Sequence, residues 1–419
     1  MTDRDPFTGR IVLLTTVRSY RLEAFRAAAE RLGVAVTTGL DLPDGLAEQW
    51  PDALPLTFVD VAASARKIAD YAEDNPLSAV LSVDDSGSLV AAAASDLLGL
   101  PHNDPAAAEA ARDKSVMRRM LKAGGVPVPW FRTYTTDDDP AVVAGEAPYP
   151  CVVKPVNLNG SRGVMRADNP DELHAAIARL TRLITSESPE PRPYLVESYL
   201  PGIEVALEGM LDGGELTVLA LFDKPDPLEG PFFEETIYVT PSRLPAATQA
   251  AIVSATSAAA RALGLVSGPV HAELRVNEAG AWIIEIAGRS IGGLCSQVLR
   301  FGVDASLEEL IVRQAAGLPL GDTTRRDRAA GVMMIPIPAA GLLREVSGVE
   351  EAAAMPLIES VEITARLNYP LVPLPEGDSY LGFIFARGET PEAVEAALRQ
   401  AHGRLSFAID ALLPMIGGR

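Results

Sequence analysis

Two carboxylates and a guanidinium fall close together late in the chain, in residues 267–293, SGPVHAELRVNEAGAWIIEIAGRSIGG. Val270, Ala272, Leu274 and Val276 alternate with His271, Glu273 and Arg275, which is the period of a half-buried strand. Asn277-Glu278-Ala279-Gly280 supplies turn residues, and residues 281–286 form a second, more apolar strand. Such a hairpin can aim Glu273 and Glu285 at one point, where a hard cation such as Mg²⁺ would take carboxylate and phosphate oxygens. Arg289, four residues after Glu285, can clamp an anionic oxygen there. A plain hairpin with two surface glutamates would read the same way.

A second stretch carries cation and glycine chemistry. Tyr149-Pro150-Cys151-Val152-Val153-Lys154-Pro155 is an apolar strand whose polar residue is a lysine, and it runs into Asn157-Leu158-Asn159-Gly160-Ser161-Arg162-Gly163. Free N–H groups in a small-residue loop can fold over a polyphosphate, with the lysine as point charge. Neither the GxxxxGK[ST] loop nor the strand–GxGxxG–helix fingerprint is present. A glycine hairpin tip explains the loop equally well. Lys114 lies on a helix spanning about 106–123 and on its own signals only a solvated face.

The elements that must position these groups follow from periodicity. Strands at 10–16, 34–38, 57–60 and 79–83 alternate with helices at 20–32, 62–72 and 89–98, which implies a parallel sheet in an α/β domain. Ligands of such sheets sit beyond the C-terminal strand ends. Asp84, Asp85 and Ser86 lie at one such end, where turn and cap chemistry accounts for them as readily as substrate contact. Further on come a helix at 171–184, a polar connector at 185–193, and strands at 194–200, 205–210 and 216–222. A long alanine-rich helix (245–263) precedes the hairpin, and a helix at 306–316 follows it. The tail shows strands at 331–337, 360–365 and 380–386 and a helix at 390–402, with Thr390 as N-cap and Pro391 in the first turn.

Composition bounds the reading. A chain of 419 residues suits two or three domains. With 36 basic against 56 acidic residues, a net of −20, it lacks the basic face of a nucleic-acid binder. Two cysteines, Cys151 and Cys295, make no disulfide framework and read as buried thiols. No unbroken apolar run reaches a membrane span and no signal-peptide pattern opens the chain, so a soluble cytoplasmic protein is expected.

Asp113-Lys114, Val152-Val153-Lys154-Pro155, the loop 159–163, Glu197-Ser198-Tyr199-Leu200 with Glu204, His271-Ala272-Glu273, and Glu285-Ile286-Ala287-Gly288-Arg289 occur in a telling order and spacing. Together they resemble the ATP-grasp superfamily of carboxylate–amine ligases, and within it most the L-amino-acid ligases of the bacilysin-synthetase type. The resemblance covers nearly the whole chain. It implies an α/β (α+β) ATP-grasp fold with a Rossmann-like pre-ATP-grasp domain (1–112), an ATP-grasp domain (113–320) containing a lid subdomain (126–200), and a C-terminal α+β domain (321–419).

The same resemblance implies roles. Lys114 and Lys154 would contact ATP phosphates, and Asn159, Gly160, Ser161 and Gly163 would close over them. The backbone of Glu197, Ser198, Tyr199 and Leu200 would read the adenine edge, and Glu204 would accept from ribose hydroxyls. Glu273 and Glu285 would hold Mg²⁺, with Mn²⁺ as the alternative. Arg289 would neutralise the acyl phosphate, and His271 would face the same cavity. Phe232, Phe233, Glu234, Glu235 and Tyr238 would border the substrate pocket. One departure is Ala287, where many ATP-grasp enzymes carry asparagine, and it argues against a second tightly held metal. The implied activity joins a carboxylate to an amine, both from small amino-acid-like molecules. It involves no nucleic acid or membrane, and a homodimer is the common expectation for such enzymes. A biotin-carboxylase-like or purine-pathway ligase is the alternative within the superfamily. A nucleotide-binding module without catalysis is the alternative outside it.

Overall fold

In the computed structural model, residues 9–411 are described apart from positions 18, 43, 187–189, 327 and 378. The N-terminal segment forms a four-stranded parallel sheet in the order Ala53–Leu56, Ala35–Asp41, Arg10–Thr16, Leu77–Ser82. Its first helix, Leu22–Leu32, ends as expected at Gly33, whose left-handed φ of 67° suits a residue without Cβ. The strand expected at 57–60 is displaced to Ala53–Leu56. Polar chemistry explains the shift: Thr57 bonds Ser64, and Asp60 caps the next helix by accepting from Ala63 N at 2.9 Å.

An eight-stranded antiparallel sheet dominates the molecule. Its order is Gly280–Ala287, Gly268–Asn277, Ile203–Asp212, Glu215–Lys224, Ile237–Thr240, Ala329–Ile335, Gly382–Gly388, Ile358–Ile363. It draws strands from both sides of position 321. One face is packed by helix Ala246–Leu263, with Val270, Ala272 and Leu274 fully buried in that cluster. The alternation therefore turns His271, Glu273 and Arg275 to the opposite face, as the sequence pattern requires. A smaller antiparallel sheet, Phe131–Thr135, Pro193–Ser198, Cys151–Pro155, Met165–Ala167, lies across the cleft and carries the glycine loop at one end. In the tail, the helix Pro391–His402 is capped by Thr390 as expected. The strands Gly341–Ser347 and Ser406–Asp410 were not evident from periodicity, because charged residues interrupt the first and the second is a half-exposed edge.

The single helix expected at 106–123 is two, Pro105–Arg112 and Lys114–Ala123. Asp113 adopts an extended conformation between them, and its carboxylate accepts from Ser115 N (2.7 Å) and Val116 N (3.0 Å). This break matters for the site. It puts Lys114 in a first helical turn, with its N–H bound to Val156 O at 2.9 Å, so its side chain meets the glycine loop. Both cysteines are buried thiols, as read from their surroundings.

Candidate active site

A cleft opens between the two antiparallel sheets. Glu273 and Glu285 line it and are register partners across the hairpin, with the irregularity that turns the pair falling just after Glu273. The site is thus built from the hairpin upward. Lys114 Nζ reaches Glu285 at 3.1 Å and donates to Leu158 O at 2.9 Å, tying the acid to the base of the glycine loop. Lys154, Asn159, Gly160, Ser161, Tyr199, Leu200 and Arg289 line the same cleft.

Lys154 and Glu197, each 4% exposed, form a buried ion pair, and Arg118 Nε joins the carboxylate at 2.8 Å. Burial pushes the Glu197 carboxyl up, but the charges of Arg118 and then Lys154 outweigh it and hold it at about 2, below the ordinary 4.5. A depressed carboxylate contributes stability above its ordinary pKa that is lost as pH falls toward the folded value. Glu197→Gln is therefore expected to cost on the order of 3 kcal/mol at pH 7 and to flatten the acid limb of a urea-denaturation profile between pH 5 and pH 2.5. An acid limb as steep as in the wild type would remove this carboxylate from the account.

The backbone of 197–200 is partly committed within the protein. Ser198 N donates to Trp130 O and Tyr199 N to Pro150 O, both at 2.9 Å, so neither N–H is free for a nucleobase. Among the described residues, the Leu200 N–H is the unspent donor of the stretch. Gly163 also departs from its expected role. It does not line the cleft; its N–H donates to Pro375 O at 2.7 Å, and a Cβ there would press on Leu180, Leu183 and Pro155. With φ of +75° it shapes the base of the loop.

Glu204 accepts from Lys224 Nζ and Arg275 Nε, both at 2.8 Å. Lys224 also pairs with Glu235 and stands 3.5 Å from Glu273. Glu204, Glu235 and Glu273 each offer an oxygen within 4.8 Å of the others, and among the described residues this is the group of three that can hold a cation. Burial, and then repulsion from Glu273, pushes Glu235 up to about 7 despite Lys224. Glu285 stands outside this group, paired with Lys114; the oxygens of the three carboxylates suit Mg²⁺ or Mn²⁺ and not a soft metal.

Sequence reasoning missed Arg118, Lys224 and Glu208. Glu208 is 0% exposed, and its signal was a lone acid in the apolar run VALEGML. It bonds His271 Nδ1 at 2.9 Å and accepts from Ile291 N at 2.9 Å, two residues beyond Arg289. His271 Nε2 in turn meets Glu273 Oε1 at 3.3 Å. Burial opposes protonation of His271, but these two carboxylates raise its pKa to about 9 and keep it an imidazolium. Glu208→Gln is expected to lower kcat roughly 10- to 100-fold while the ATP dissociation constant stays within about threefold, since Glu208 holds groups that hold the site. Equal losses in kcat and ATP affinity would mark a merely structural role.

Arg289 Nε donates to Asp85 Oδ2 at 2.6 Å, and Asn159 Nδ2 reaches the same oxygen at 2.9 Å. One carboxylate at a strand end of the parallel sheet thus joins the arginine and the glycine loop. Asp84 and Asp85 both line a second cavity beside this cleft, and Asp84 also serves the turn by accepting from Ser86 N at 3.0 Å. Just before the first helix, Arg21 Nη2 also anchors the arginine loop by donating to Ser290 Oγ at 2.6 Å.

Profiles of known families agree with this arrangement. Residues 25–102 match the ATP-grasp N-terminal domain, 147–298 the ATP-grasp domain, and 333–410 the L-amino acid ligase C-terminal domain 2. The chain belongs to the ATP-grasp ligases. It is similar to an L-amino acid ligase from Bacillus licheniformis, with a TM-score of 0.78 and 26% identity over 96% of this chain and 99% of that one. It is 32% identical to D-alanine–D-alanine ligase of Gloeobacter violaceus over 63% of this chain and 81% of that protein. It is 30% identical to alanine–anticapsin ligase of Bacillus subtilis over 55% of this chain and 53% of that protein. The chain spans 64%, 27% and 53% of the lengths of three of the curated relatives it matches. Among the described residues no helix is long and apolar enough to cross a membrane.

Proposed function

We propose that this protein is an ATP-dependent ligase that forms an amide bond between two small amino-acid-like substrates through an acyl phosphate, releasing ADP and phosphate. The observation that carries this is the convergence of the register partners Glu273 and Glu285 with Lys114, Lys154 and Arg289 on one cleft beneath the loop 157–163. The named activities of the similar ligases support it.

A carboxylate is a poor electrophile. Its oxygen attacks the γ-phosphorus, ADP leaves, and the amine nitrogen then attacks the acyl carbon as phosphate departs and the amine loses a proton. Phosphoryl transfer asks the protein for positioning and charge neutralisation rather than covalent help. Lys114 and Lys154 supply fixed positive charge for the phosphates. Glu273 and Glu285 would hold Mg²⁺, which when bound neutralises phosphate oxygens, with Glu204 and Glu235 as neighbouring oxygen donors. Arg289, oriented by Asp85, faces the charge that develops on the acyl oxygen. Residues 126–200 act in this reading as a lid that keeps water from the acyl phosphate. Unlike many nucleophilic enzymes, the scheme needs no serine or cysteine.

The test is a phosphate-release screen of amino-acid pairs with ATP and Mg²⁺, followed by the mass of the product. Release stimulated by a pair, with a product lighter by one water than their sum, is the expected result. A bicarbonate requirement would favour the carboxylating alternative. ATP binding with no substrate-stimulated release would overturn the ligase reading.

A further inference from the structure

Beside the nucleotide cleft lies a second cavity. Its walls come from the C-terminal end of the parallel sheet, from helix Pro105–Arg112, and from the loop that follows the hairpin. Arg289 lines both cavities, whereas Lys114 and Lys154 line only the first and Arg112 only the second. The two spaces therefore meet at the arginine that faces the reacting carbonyl.

Arg289 is already paired with Asp85. His102, also on the wall, stands 2.7 Å from Leu100 O and 3.6 Å from Asp96. Arg112 differs. Among the described residues its guanidinium has one hydrogen-bond acceptor, Ser86 O at 3.3 Å, and no ion pair; it acts on Asp85 only at a distance. Arg112 is half-buried on this wall, and the guanidinium donors it does not spend on Ser86 O are available to an anionic ligand. The planar fork of guanidinium donors matches a carboxylate in bidentate fashion.

We infer that the second cavity receives the amine-bearing substrate, that this substrate is an amino acid, and that Arg112 clamps its α-carboxylate. The inference rests on the ligase reading above. An amino-acid acceptor brings a carboxylate of its own, which would compete for phosphorylation if it reached the lysines and metal-binding glutamates. Holding it on Arg112, in the cavity those groups do not line, leaves the amine free to approach the acyl carbon at Arg289. Arg112 thereby decides which of two carboxylates is activated.

The experiment compares an acceptor amino acid with its carboxamide, which keeps the side chain and amine but has no negative charge. In the wild type, KM for the amide is expected to exceed that for the acid by at least ~10-fold. Arg112→Ala should raise KM for the acid by roughly 10- to 100-fold and leave that for the amide in place, so that the ratio falls towards one; Arg112→Lys should restore part of it. A ratio in Arg112→Ala equal to that of the wild type overturns the inference. The same acid-to-amide ratio is read by calorimetry on protein loaded with Mg²⁺ and a non-hydrolysable ATP analogue. If no pair is ligated but the binding preference exists and vanishes in Arg112→Ala, the ligase reading fails and the carboxylate clamp stands.

Discussion

Glu285→Gln abolishes ATP-dependent phosphate release, by ~10³-fold or more in kcat, and leaves the fold intact. Glu285 lies on the second strand of the hairpin, opposite Glu273, and its side chain is 24% exposed in the cleft. Glutamine preserves volume and one carbonyl oxygen, so the contact with Lys114 at 3.1 Å survives as an ordinary hydrogen bond. What it removes is the negative charge that, in the proposed scheme, would hold a divalent cation against the phosphates. Three readouts check this together: phosphate release with a productive amino-acid pair, Mg²⁺ titration of nucleotide binding, and thermal melting without nucleotide. Melting within a few degrees of the wild type, with turnover gone and the Mg²⁺ requirement raised, is the expected set. Release at the wild-type rate would contradict the whole assignment of the hairpin.

Arg289→Ala is expected to cut kcat by roughly 10²–10³-fold while ATP affinity changes little, because in the proposed scheme the guanidinium meets charge that develops during reaction rather than charge already on the nucleotide. Its structural side effect is separable. Arg289 pairs with Asp85 at 2.6 Å, and removing it strands a carboxylate whose acidity depends on that partner. The single variant should therefore also lose stability, on the order of 3 kcal/mol. Arg289→Ala combined with Asp85→Asn should recover most of that stability and none of the turnover. Recovery of both would reassign Arg289 from the reaction to the scaffold.

Much of the site was legible because local periodicity carries it. The hairpin reads from a two-residue alternation, and that alternation alone puts His271, Glu273 and Arg275 on one face. The glycine loop and the lysine before it are contiguous, so their adjacency needs no tertiary information. Where local chemistry competed, the reading failed. Asp113 interrupts an otherwise helical pattern because its carboxylate caps the next helix, and Thr57 and Asp60 leave the strand to bond and cap a turn. Nothing near Ser198 and Tyr199 in the sequence announces Trp130 and Pro150 as the acceptors of their N–H groups.

By itself, then, the sequence determined the residue types of the chemistry, the strand faces that present them and, through resemblance, the family. Only the tertiary structure decided the partners. Asp85 meets Arg289 across 204 positions, Arg118 meets Glu197 across 79, and Glu208 reaches Ile291 across 83. Periodicity is set by the few residues of one turn or one pleat, whereas an ion pair is set by where distant strands come to lie. Burial then fixes its strength, because a charge taken out of water must find the counter-charge that folding brings to it.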